Sequence, residues 1–530
     1  MKKRADGETP AGPFLSARRM RALEDASMAS GAVTGAALME RAGRGAVDAI
    51  LARWPALAAA PAAAVVLCGP GNNGGDGLVV ARLLRARGWD VAVRLWGDPA
   101  RMRGDAAAML AAWDGPAAPL EAPGLIDAAH DAALVIDALF GTGLSRALAL
   151  PGEVEALFHG LMADGFWPAG RAWPPYVVAL DLPSGLSSET GRPVAGAEEV
   201  GAHLTVAFSH AKPGHVLAEG PARCGALRVV DLGLGDPPPG EGVLRGVARP
   251  EADDFGTPFV ARKGEGAPGA GDHKFAHGHA LVLSGGVGRG GAARMAARGA
   301  LRIGAGLVTL GCPPGAVLEN GARLDAVMVR PVADAAALEA ALGDARITAL
   351  CLGPGLGTGP REARLVGAAL ASGRPCVLDA DALTLVAGDP GLAAGLHPRC
   401  VLTPHGGEFA RLAPDGAGAE DKVAATRAAS ARLGAWVVHK GPDTVIAGPD
   451  GDAALHAAAY GRAAPWLATA GAGDVLAGMV AGLLARGFAP GPAAEAAVWC
   501  HAEAARAVGP GLIAEDLPEA LPAVLRDLAG

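Results

Sequence analysis

Short apolar runs, each followed by a glycine-rich turn and a helical segment, recur along most of the chain. In the first half the runs that predict strands are Ala64–Cys68, Val91–Trp96, Leu134–Leu139, Tyr176–Leu182, Leu204–Phe208 and Ala226–Leu232. In the second half they are His279–Leu283, Leu307–Leu310, Ile347–Leu352, Cys376–Leu378, Cys400–Leu402 and Ala435–His439. Strands that alternate with helices in this order are typical of parallel sheets in an α/β fold.

Helical spacing of apolar residues predicts the helices that accompany these strands. The strongest segments are Met20–Met28, Ala36–Leu51, Leu78–Arg87, Ala292–Ile303, Val475–Arg486 and Pro492–Ala507. The alternation stops at Gly233–Gly240, which contains three consecutive prolines. The sequence therefore predicts two domains, 15–235 and 273–530, joined by a linker over 236–272.

Small residues supply much of the apolar content. The 530 residues are 51% hydrophobic and include 79 glycines but only 4% aromatic residues, so the helices are expected to pack closely. A net charge of −8 argues against nucleic-acid partners. Prolines interrupt the uncharged stretch Trp54–Gly75, which argues against a membrane-spanning helix. The seven cysteines are scattered and lack CxxC spacing, which favours reduced thiols and a cytoplasmic location.

A polar glycine loop follows the first predicted strand. It reads GPGNNGGDG over Gly69–Gly77 and formally contains the dinucleotide-binding pattern GxGxxG. A phosphate cradle needs glycines and backbone N–H groups, whereas Asn72, Asn73 and Asp76 add oxygen-bearing side chains. Such oxygens suit a cation and the hydroxyl groups of a ligand. Capping of the following helix by Asp76 is an alternative that stays open.

Two aspartates stand at the ends of later strands. Asp137 lies in the run Val135–Leu139, and Asp181 begins the turn DLPSG, which ends at Gly185. The carboxyl ends of parallel strands border the crevice in which such sheets bind ligands. A strand-end aspartate with a tuned pKa can act as an acid or a base.

Five motifs together resemble those of the NAD(P)H-hydrate epimerase family. They are LMERAG (Leu38–Gly43), GPGNNGGDG (Gly69–Gly77), DALFGTGLSR (Asp137–Arg146), DLPSG (Asp181–Gly185) and AKPGH (Ala211–His215). The resemblance covers residues 20–235. It implies a Rossmann-like three-layer fold, a potassium ion (K⁺), and a substrate that is hydroxylated at C6 of the nicotinamide ring.

Epimerisation of the hydroxylated carbon needs proton transfers, and we nominate Asp181 as the catalytic residue for them. The matching positions imply the other residues of this first site. The implied metal ligands are Asn73, Asp137 and Ser184. The implied substrate-binding residues are Asn72, Asn73, Gly74, Gly75, Asp76, Gly141, Thr142, Gly143, Leu144, Ser145, Arg146 and Ala147. Arg146 is placed to meet a phosphate of the dinucleotide, and a solvated loop charge is an equal alternative.

The segment Ala468–Gly478, which reads ATAGAGDVLAG, carries the most specific signal in the chain. Its glycines leave backbone N–H groups unobstructed at the start of a predicted helix, whose positive end attracts phosphate oxygens. Asp474 follows at once, and its carboxylate can take a proton from a hydroxyl group that attacks a phosphoryl group. A glycine turn with an N-capping aspartate is the alternative.

Further motifs of the second half resemble those of the NAD(P)H-hydrate dehydratase branch of the ribokinase-like superfamily. They are His273-Lys274, the loop Gly285–Ala293, GAGLV (Gly304–Val308), GPGLG (Gly353–Gly357), LDADAL (Leu378–Leu383), TPHGGE (Thr403–Glu408) and TAGAGDVLAG (Thr469–Gly478). The resemblance covers residues 273–521 and implies a ribokinase-like three-layer fold. It also implies that ADP or ATP phosphorylates the ring hydroxyl, after which loss of phosphate regenerates NAD(P)H.

The same resemblance implies the residues of the second site. Ala292, Gly355, His405 and the catalytic Asp474 would contact the hydrated nucleotide. The nucleotide-binding residues would be Lys440, Gly441, Pro442, Asp443, Thr444 and Gly473. Either carboxylate of LDADAL would help to organise Mg²⁺ or substrate. One departure stands out, because Asp325–Val329 lacks the Pro-Glu pair that many members carry there.

The favoured interpretation is a two-domain enzyme that repairs hydrated NADH and NADPH (NADHX and NADPHX). The first domain would interconvert the R and S epimers, and the second would dehydrate the S epimer with release of AMP and phosphate from ADP. We expect a homo-oligomer without nucleic-acid or membrane partners. Three alternatives are a small-molecule kinase, a non-catalytic dinucleotide-sensing first domain, and an NAD-dependent dehydrogenase.

Overall fold

The computed structural model describes residues 10–144, 150–162, 175–194, 200–251, 260–263 and 273–529. The chain divides into two compact units. Unit 1 comprises Met1–Arg245 with Ala459–Gly461, and unit 2 comprises Gly246–Ala458 with Arg462–Gly530. The expected linker over 236–272 contains a strand, Val243–Gly246. The exact domain bounds stay a prediction.

Unit 1 is built around a parallel sheet. Its strands are β1 (Phe14–Leu15), β2 (Ala63–Cys68), β3 (Asp90–Leu95), β4 (Ala117–Pro119), β5 (Leu134–Ala138), β6 (Tyr176–Leu180), β7 (Leu204–Phe208), β8 (Ala226–Val230) and β9 (Val243–Gly246). The parallel strands follow the order β4-β3-β2-β5-β6-β7-β8. Separately, β1 pairs with β9 in antiparallel fashion, with Phe14 opposite Leu244.

Helices cover both faces of this sheet. They are α1 (Ala17–Ala29), α2 (Gly35–Arg53), α3 (Pro55–Ala59), α4 (Asn72–Arg85), α5 (Gly104–Ala111), α6 (Leu125–Asp131), α7 (Gly152–Met162) and α8 (Gly220–Cys224). Successive residues of β2 point to opposite faces: Val66 packs in a cluster with α2 and α4, and Val65 in a cluster with α6 and α7. Because both faces are buried, unit 1 has the predicted three layers.

Unit 2 repeats this architecture with an antiparallel extension. Its strands are β10 (His279–Leu283), β11 (Leu307–Cys312), β12 (Met328–Pro331), β13 (Ala349–Leu352), β14 (Cys376–Leu378), β15 (Cys400–Leu402), β16 (Trp436–His439), β17 (Asp443–Ala447) and β18 (Ala453–Ala457). They follow the order β18-β17-β16-β15-β14-β13-β10-β11-β12. The strands β16, β17 and β18 pair antiparallel, and the sequence did not predict β17 or β18. The predicted strands β10, β11 and β13–β16 pair in parallel, as expected.

Helices also flank the sheet of unit 2 on both faces. They are α9 (Gly291–Arg302), α10 (Val317–Gly321), α11 (Ala335–Leu342), α12 (Pro360–Ala371), α13 (Ala380–Gly388), α14 (Pro390–Ala394), α15 (Gly406–Leu412), α16 (Lys422–Leu433), α17 (Ala472–Ala485), α18 (Pro490–Val508) and α19 (Asp516–Ala529). Val282 of β10 packs with α9, α17 and α18, and its neighbour Leu281 packs with α11 and α12 on the other face. This confirms a three-layer α/β architecture for the second unit.

Glycines bring α9 and α17 unusually close together. A Cβ atom at Gly478 would lie 1.9 Å from the carbonyl oxygen of Ala296, and one at Gly482 would lie 2.6 Å from that of Ala300. Contacts this short leave no room for any larger residue. The close helix packing expected from the small-residue content is therefore confirmed, and it fixes the position of the N-terminus of α17.

Each sheet has a point where the strand order reverses. In unit 1, β3 and β4 lie on one side of β2, and the strands from β5 onward lie on the other side. In unit 2, β11 and β12 lie on one side of β10, and the strands from β13 onward lie on the other. Ligands of open α/β sheets bind outside the carboxyl ends of the strands at such points. The predicted motifs Gly69–Gly77 and Gly353–Gly357 follow β2 and β13 and so lie beside these positions.

The expectation that Gly69–Gly77 forms a loop is wrong for its second half. Helix α4 begins at Asn72, with Gly71 as the N-cap residue and no side-chain capping bond. Asp76 therefore does not cap this helix.

Within the described residues, no helix is both long enough and apolar enough to cross a membrane.

Candidate active sites

A cavity of about 420 Å³ lies at the reversal point of unit 1. Helices α1 and α2, the start of α4, and the segments after β5, β6 and β7 form its walls. The polar residues that line it are Arg21, Glu24, Asn72, Asn73, Asp76, Asp105, Thr142, Asp181 and Lys212. The cavity therefore collects many ionisable and amide groups at the end of the sheet where a ligand is expected.

Asp181 directly follows β6 and is held from several sides. Its backbone has a φ of +63°, a conformation that costs energy for a residue other than glycine. Its N–H donates to Val206 O at 2.8 Å, and His215 Nε2 donates to its carbonyl oxygen at 2.7 Å. The Thr142 N–H donates to Oδ2 at 3.3 Å. These contacts fix the carboxylate at the cavity wall.

Lys212 forms an ion pair with this carboxylate. Its Nζ donates to Asp181 Oδ1 at 2.6 Å and to Phe208 O at 3.2 Å, and the residue is only 1% exposed. Burial raises the pKa of Asp181, but the charge of Lys212 and its hydrogen bond outweigh burial, so the pKa lies below the ordinary value. The result is a buried aspartate that stays ionised.

The neighbouring carboxyl groups and His215 behave differently. Burial, reinforced by the charge of Asp181, holds the pKa of Asp76 well above its ordinary value. Burial also raises the pKa of Glu24. Burial and the charge of Lys212 lower the pKa of His215 to about 4, so its ring is neutral at pH 7. One cavity thus holds a carboxylate of lowered pKa beside two carboxyl groups of raised pKa.

The three predicted metal ligands lie on adjacent segments. Ser184 Oγ donates to Asp137 Oδ1 at 2.6 Å, and the Ser184 N–H donates to Oδ2 at 2.8 Å. Burial raises the pKa of Asp137 to about 6, against these hydrogen bonds. The amide atoms of Asn73 are buried and have no hydrogen-bond partner among the described residues. An unsatisfied buried amide calls for a ligand.

The other predicted residues of this site differ in position. Gly141, Thr142, Gly143 and Leu144 line the cavity, whereas Gly74 and Gly75 do not. A Cβ atom at Gly74 would lie 1.9 Å from Gly69 O, so that glycine serves a tight backbone contact. Ser145, Arg146 and Ala147 lie outside the described residues.

Unit 2 brings its predicted catalytic aspartate to the start of α17. Gly471, the N-cap residue, has a φ of +92°, and Asp474 stands in the first turn. Burial raises the pKa of Asp474 to about 7, and the charges of Asp379, Glu408 and Asp381 add to this, while Lys440 lowers it. A carboxyl group of that pKa changes its protonation state near neutral pH, as a general base should.

Lys440 connects Asp474 to the segments after β14 and β15. Its Nζ lies 2.8 Å from Asp379 Oδ1 and 3.9 Å from Glu408 Oε2. Thr403 Oγ1 also donates to Asp379 Oδ1, at 2.8 Å. A Cβ atom at Gly473 would lie 3.2 Å from Lys440 Nζ. The cation and the first turn of α17 are therefore neighbours, and the sequence predicted both.

The predicted contacts of the hydrated nucleotide form two groups. Gly355 approaches α9, since a Cβ atom there would lie 3.5 Å from Ala292 Cβ. The side chain of His405 is 60% exposed, and its Nδ1 accepts from the Gly407 N–H at 3.0 Å. His405 therefore caps α15, and its Nε2 lies 3.5 Å from Glu408 Oε1.

The turn between β16 and β17, together with the start of β17, contains the predicted nucleotide-binding residues 440–444. Thr444 Oγ1 donates to Gly441 O at 2.7 Å, and Lys422 Nζ donates to Asp443 Oδ1 at 2.6 Å. The Pro442 carbonyl accepts from the Ala458 N–H at 2.7 Å. These bonds fix the turn, and Lys422 is a cation here that the sequence did not single out.

Two carboxylates, Asp379 and Asp381, follow β14 near this site. Asp381 Oδ2 accepts from the Gly357 N–H at 2.8 Å, and Asp379 is held by Lys440 and Thr403. Within the described ranges, no three His, Cys, Asp or Glu side chains are grouped so as to hold a metal ion by themselves. Any Mg²⁺ at this site would need phosphate oxygens as further ligands.

Comparison with known proteins covers both units. Residues 35–214 match the family described as YjeF-related protein N-terminus, and residues 280–521 match that described as NAD(P)H-hydrate dehydratase. The bifunctional NAD(P)H-hydrate repair enzyme Nnr of Coxiella burnetii is 37% identical over 94% of this chain and 96% of its own. The enzyme of that name from Salinibacter ruber is 35% identical over 99% and 98%.

The chain belongs to the family of bifunctional NAD(P)H-hydrate repair enzymes. Membership confirms the resemblance that the motifs of both halves predicted. A solved structure, the ADP/ATP-dependent NAD(P)H-hydrate dehydratase of Bacillus subtilis co-crystallised with ATP and Mg²⁺, is 29% identical. The match covers 49% of this chain and 92% of the Bacillus subtilis chain, with a TM-score of 0.41.

Two residues of the first cavity, Lys212 and Glu24, escaped prediction from the sequence. Lys212 lies inside the motif AKPGH, yet nothing in a single sequence pairs it with Asp181, which is 31 positions away. Glu24 lies on α1 in no recognised motif. The fold alone brings them to the cavity.

Proposed function

We propose that this chain repairs hydrated NADH and NADPH at two separate sites. Unit 1, proposed as domain 15–235, interconverts the R and S epimers. Unit 2, proposed as domain 273–530, dehydrates the S epimer with ADP or ATP as the phosphoryl donor. Family membership supports the pair of activities. The Asp181–Lys212 ion pair in the first cavity is the observation that carries the epimerase assignment, and Asp474 at the start of α17 carries the dehydratase assignment.

In unit 1, Asp181 acts as the base. The hydrated ring carries a hydroxyl group on the carbon next to the ring nitrogen, and removal of the hydroxyl proton opens the ring to an aldehyde. Rotation and reclosure then produce the other epimer. Lys212 keeps Asp181 ionised, which is the form that accepts a proton. Asn72, Asn73, Asp76 and the segment 141–147 are the proposed substrate contacts.

A potassium ion fits beside this site. Its proposed ligands are the side-chain oxygens of Asn73, Asp137 and Ser184, and hard cations prefer oxygen ligands. The buried amide of Asn73, which has no partner among the described residues, supports this assignment. When bound, the ion supplies a fixed positive charge that favours the ionised form of Asp137.

In unit 2, Asp474 takes the proton of the ring hydroxyl while that oxygen attacks the terminal phosphoryl group of the donor. The N-terminus of α17 and Lys440 stabilise the negative charge that develops on the phosphoryl oxygens. Loss of phosphate and of a neighbouring ring proton then restores NAD(P)H. Ala292, Gly355 and His405 are the proposed contacts of the hydrated nucleotide. Residues 440–444 and Gly473 are proposed for the donor.

Mg²⁺ is proposed as the partner of the donor's phosphates. Asp379 and Asp381 are the carboxylates that fit it, since Mg²⁺ usually combines one or two carboxylates with phosphate oxygens.

All seven cysteines are buried and free, which supports the proposed cytoplasmic location. The homo-oligomer stays a prediction that light scattering on the purified chain tests.

The function is tested with purified protein and a mixture of both hydrate epimers. With ADP or ATP and Mg²⁺, NADH absorbance should recover completely. With sodium or choline in place of potassium, recovery should stop once the S epimer is consumed. Potassium should also raise the melting temperature of unit 1, because a ligand that binds only the folded state stabilises it. Equal epimerisation in all three salts would contradict the potassium site.

A further inference from the structure

Asp76 lines the first cavity, and no hydrogen bond to its carboxyl group is present among the described residues. It stands in the first turns of α4, is 9% exposed and lines the cavity. Among the described residues, its oxygens receive no hydrogen bond, in contrast to those of Asp181. Burial without hydrogen-bond donors disfavours the ionised form of a carboxyl group.

The charges around Asp76 favour the same protonated form. Asp181, in the segment after β6, and Glu24, on α1, both raise the pKa of Asp76. Lys212, from the segment after β7, lowers it by less than burial raises it. The other charged side chains that line the cavity are Arg21 of α1 and Asp105 of α5.

The proposed ring opening needs an acid as well as a base. When the bond between C6 and the ring nitrogen breaks, its electron pair moves to nitrogen, and that atom must gain a proton. Asp181 is ionised and has no proton to give. Lys212 is already bonded to Asp181 and to the Phe208 carbonyl. Of the two cavity carboxyl groups of raised pKa, Asp76 and Glu24, the pKa of Asp76 is raised further, and Asp76 lies in the glycine-rich start of α4 at the end of the sheet.

We propose that Asp76 is the general acid of the epimerisation and protonates the ring nitrogen while Asp181 removes the hydroxyl proton. The inference rests on the proposed function of unit 1 and adds a second catalytic residue to it. Neutral and ionised carboxyl groups that share one site are a recurring arrangement for acid and base roles.

The proton balance closes over one cycle. In the opening step, Asp181 gains the hydroxyl proton, a carbonyl bond forms, the bond from C6 to nitrogen breaks, and Asp76 gives its proton to nitrogen. The aldehyde then rotates about its bond to the ring chain. In the closing step, nitrogen attacks the opposite face of the aldehyde, Asp76 takes its proton back, and Asp181 returns its proton to oxygen. Both groups end as they began.

The test compares Asp76→Asn, Asp76→Glu and Asp181→Asn in the full chain, with epimer interconversion followed by chromatography. We expect Asp76→Asn to lower kcat by about 10²–10⁴-fold with little change in KM. The wild type should lose activity at high pH as Asp76 ionises, and this alkaline limb should be absent in Asp76→Asn. Asp76→Glu should retain the limb at a reduced rate.

Two controls separate the possible failures. Glu24→Gln removes another cavity carboxyl group of raised pKa and should retain the alkaline limb. Dehydration of the S epimer, the reaction of unit 2, should be normal in every variant, and a thermal melt equal to that of the wild type shows that unit 1 is folded. If Asp181→Asn abolishes interconversion while Asp76→Asn keeps wild-type kcat or its alkaline limb, Asp76 is not the acid, although the proposed function stands. If the wild type does not interconvert epimers, the proposed function itself is wrong.

Discussion

Lys212 decides the protonation state of Asp181 in a cavity that otherwise favours neutral carboxyl groups. Breaking one partner of a buried ion pair is costly because it leaves an uncompensated charge. Here the remaining partner is a carboxylate, which escapes that cost by taking up a proton. Its basicity near neutral pH therefore depends on a lysine that is 1% exposed.

Replacement of Lys212 by methionine should move the acid limb of epimerase activity to higher pH. In the wild type the pKa of Asp181 is lowered, so the base stays ionised far below pH 7. Without Lys212, burial dominates and the base becomes protonated as pH falls through a higher value. The kcat of interconversion against pH measures this shift. Arg82→Met, which removes the Glu40 ion pair elsewhere in the unit, should leave the limb in place.

Dehydratase activity should rise with pH through about 7. Asp474 must be ionised to accept the hydroxyl proton, and its pKa is raised to about 7, so activity falls as pH drops below this value. Recovery of NADH from the S epimer at several pH values measures the profile. In Asp474→Asn we expect a loss of about 10²–10⁴-fold at every pH. A dehydratase activity that stays constant between about pH 6 and about pH 8 would contradict the base role of Asp474.

At the scale of elements, the sequence predicted the central strands of both sheets, because short apolar runs with flanking glycines are local signals. It missed six short or peripheral strands, which are β1, β4, β9, β12, β17 and β18. It missed the helical start of α4, since Asn72–Gly77 is poor in helix-forming residues and tertiary packing overrides propensity. Gly77 shows the reason: a Cβ atom there would lie 2.6 Å from Ala138 Cβ, so only a glycine lets the helix approach the sheet. Such contacts are invisible before the fold is known.

Gly478→Ala tests the packing that positions the second site. The added Cβ would meet the Ala296 backbone at 1.9 Å, so α17 must shift away from α9. Overpacking of this kind costs about 1–3 kcal/mol or more. We expect a lower urea midpoint and lower dehydratase activity, with normal epimerisation. The control is Gly321→Ala in α10, where a Cβ meets no atom within 4 Å and stability should be unchanged or higher.

At the scale of the whole molecule, the two activities complement each other. Water adds to the nicotinamide ring without control by an enzyme and yields both epimers, so a dehydratase specific for one would strand the other. Motif positions predicted most of both candidate sites, since those residues follow strands that meet at one edge of each sheet. They missed Lys212, Glu24 and Lys422, because these come from segments whose spatial neighbours only the fold defines.

The most direct test measures NADH recovery from a mixture of both epimers with ADP or ATP, using Asp181→Asn, Asp474→Asn, and the two variants combined. Asp181→Asn should recover only the S fraction, and Asp474→Asn should recover nothing while it still interconverts the epimers. The combined variants should recover everything, since each supplies the site that the other lacks. If each variant loses both activities and their mixture recovers nothing, the two sites are not separate.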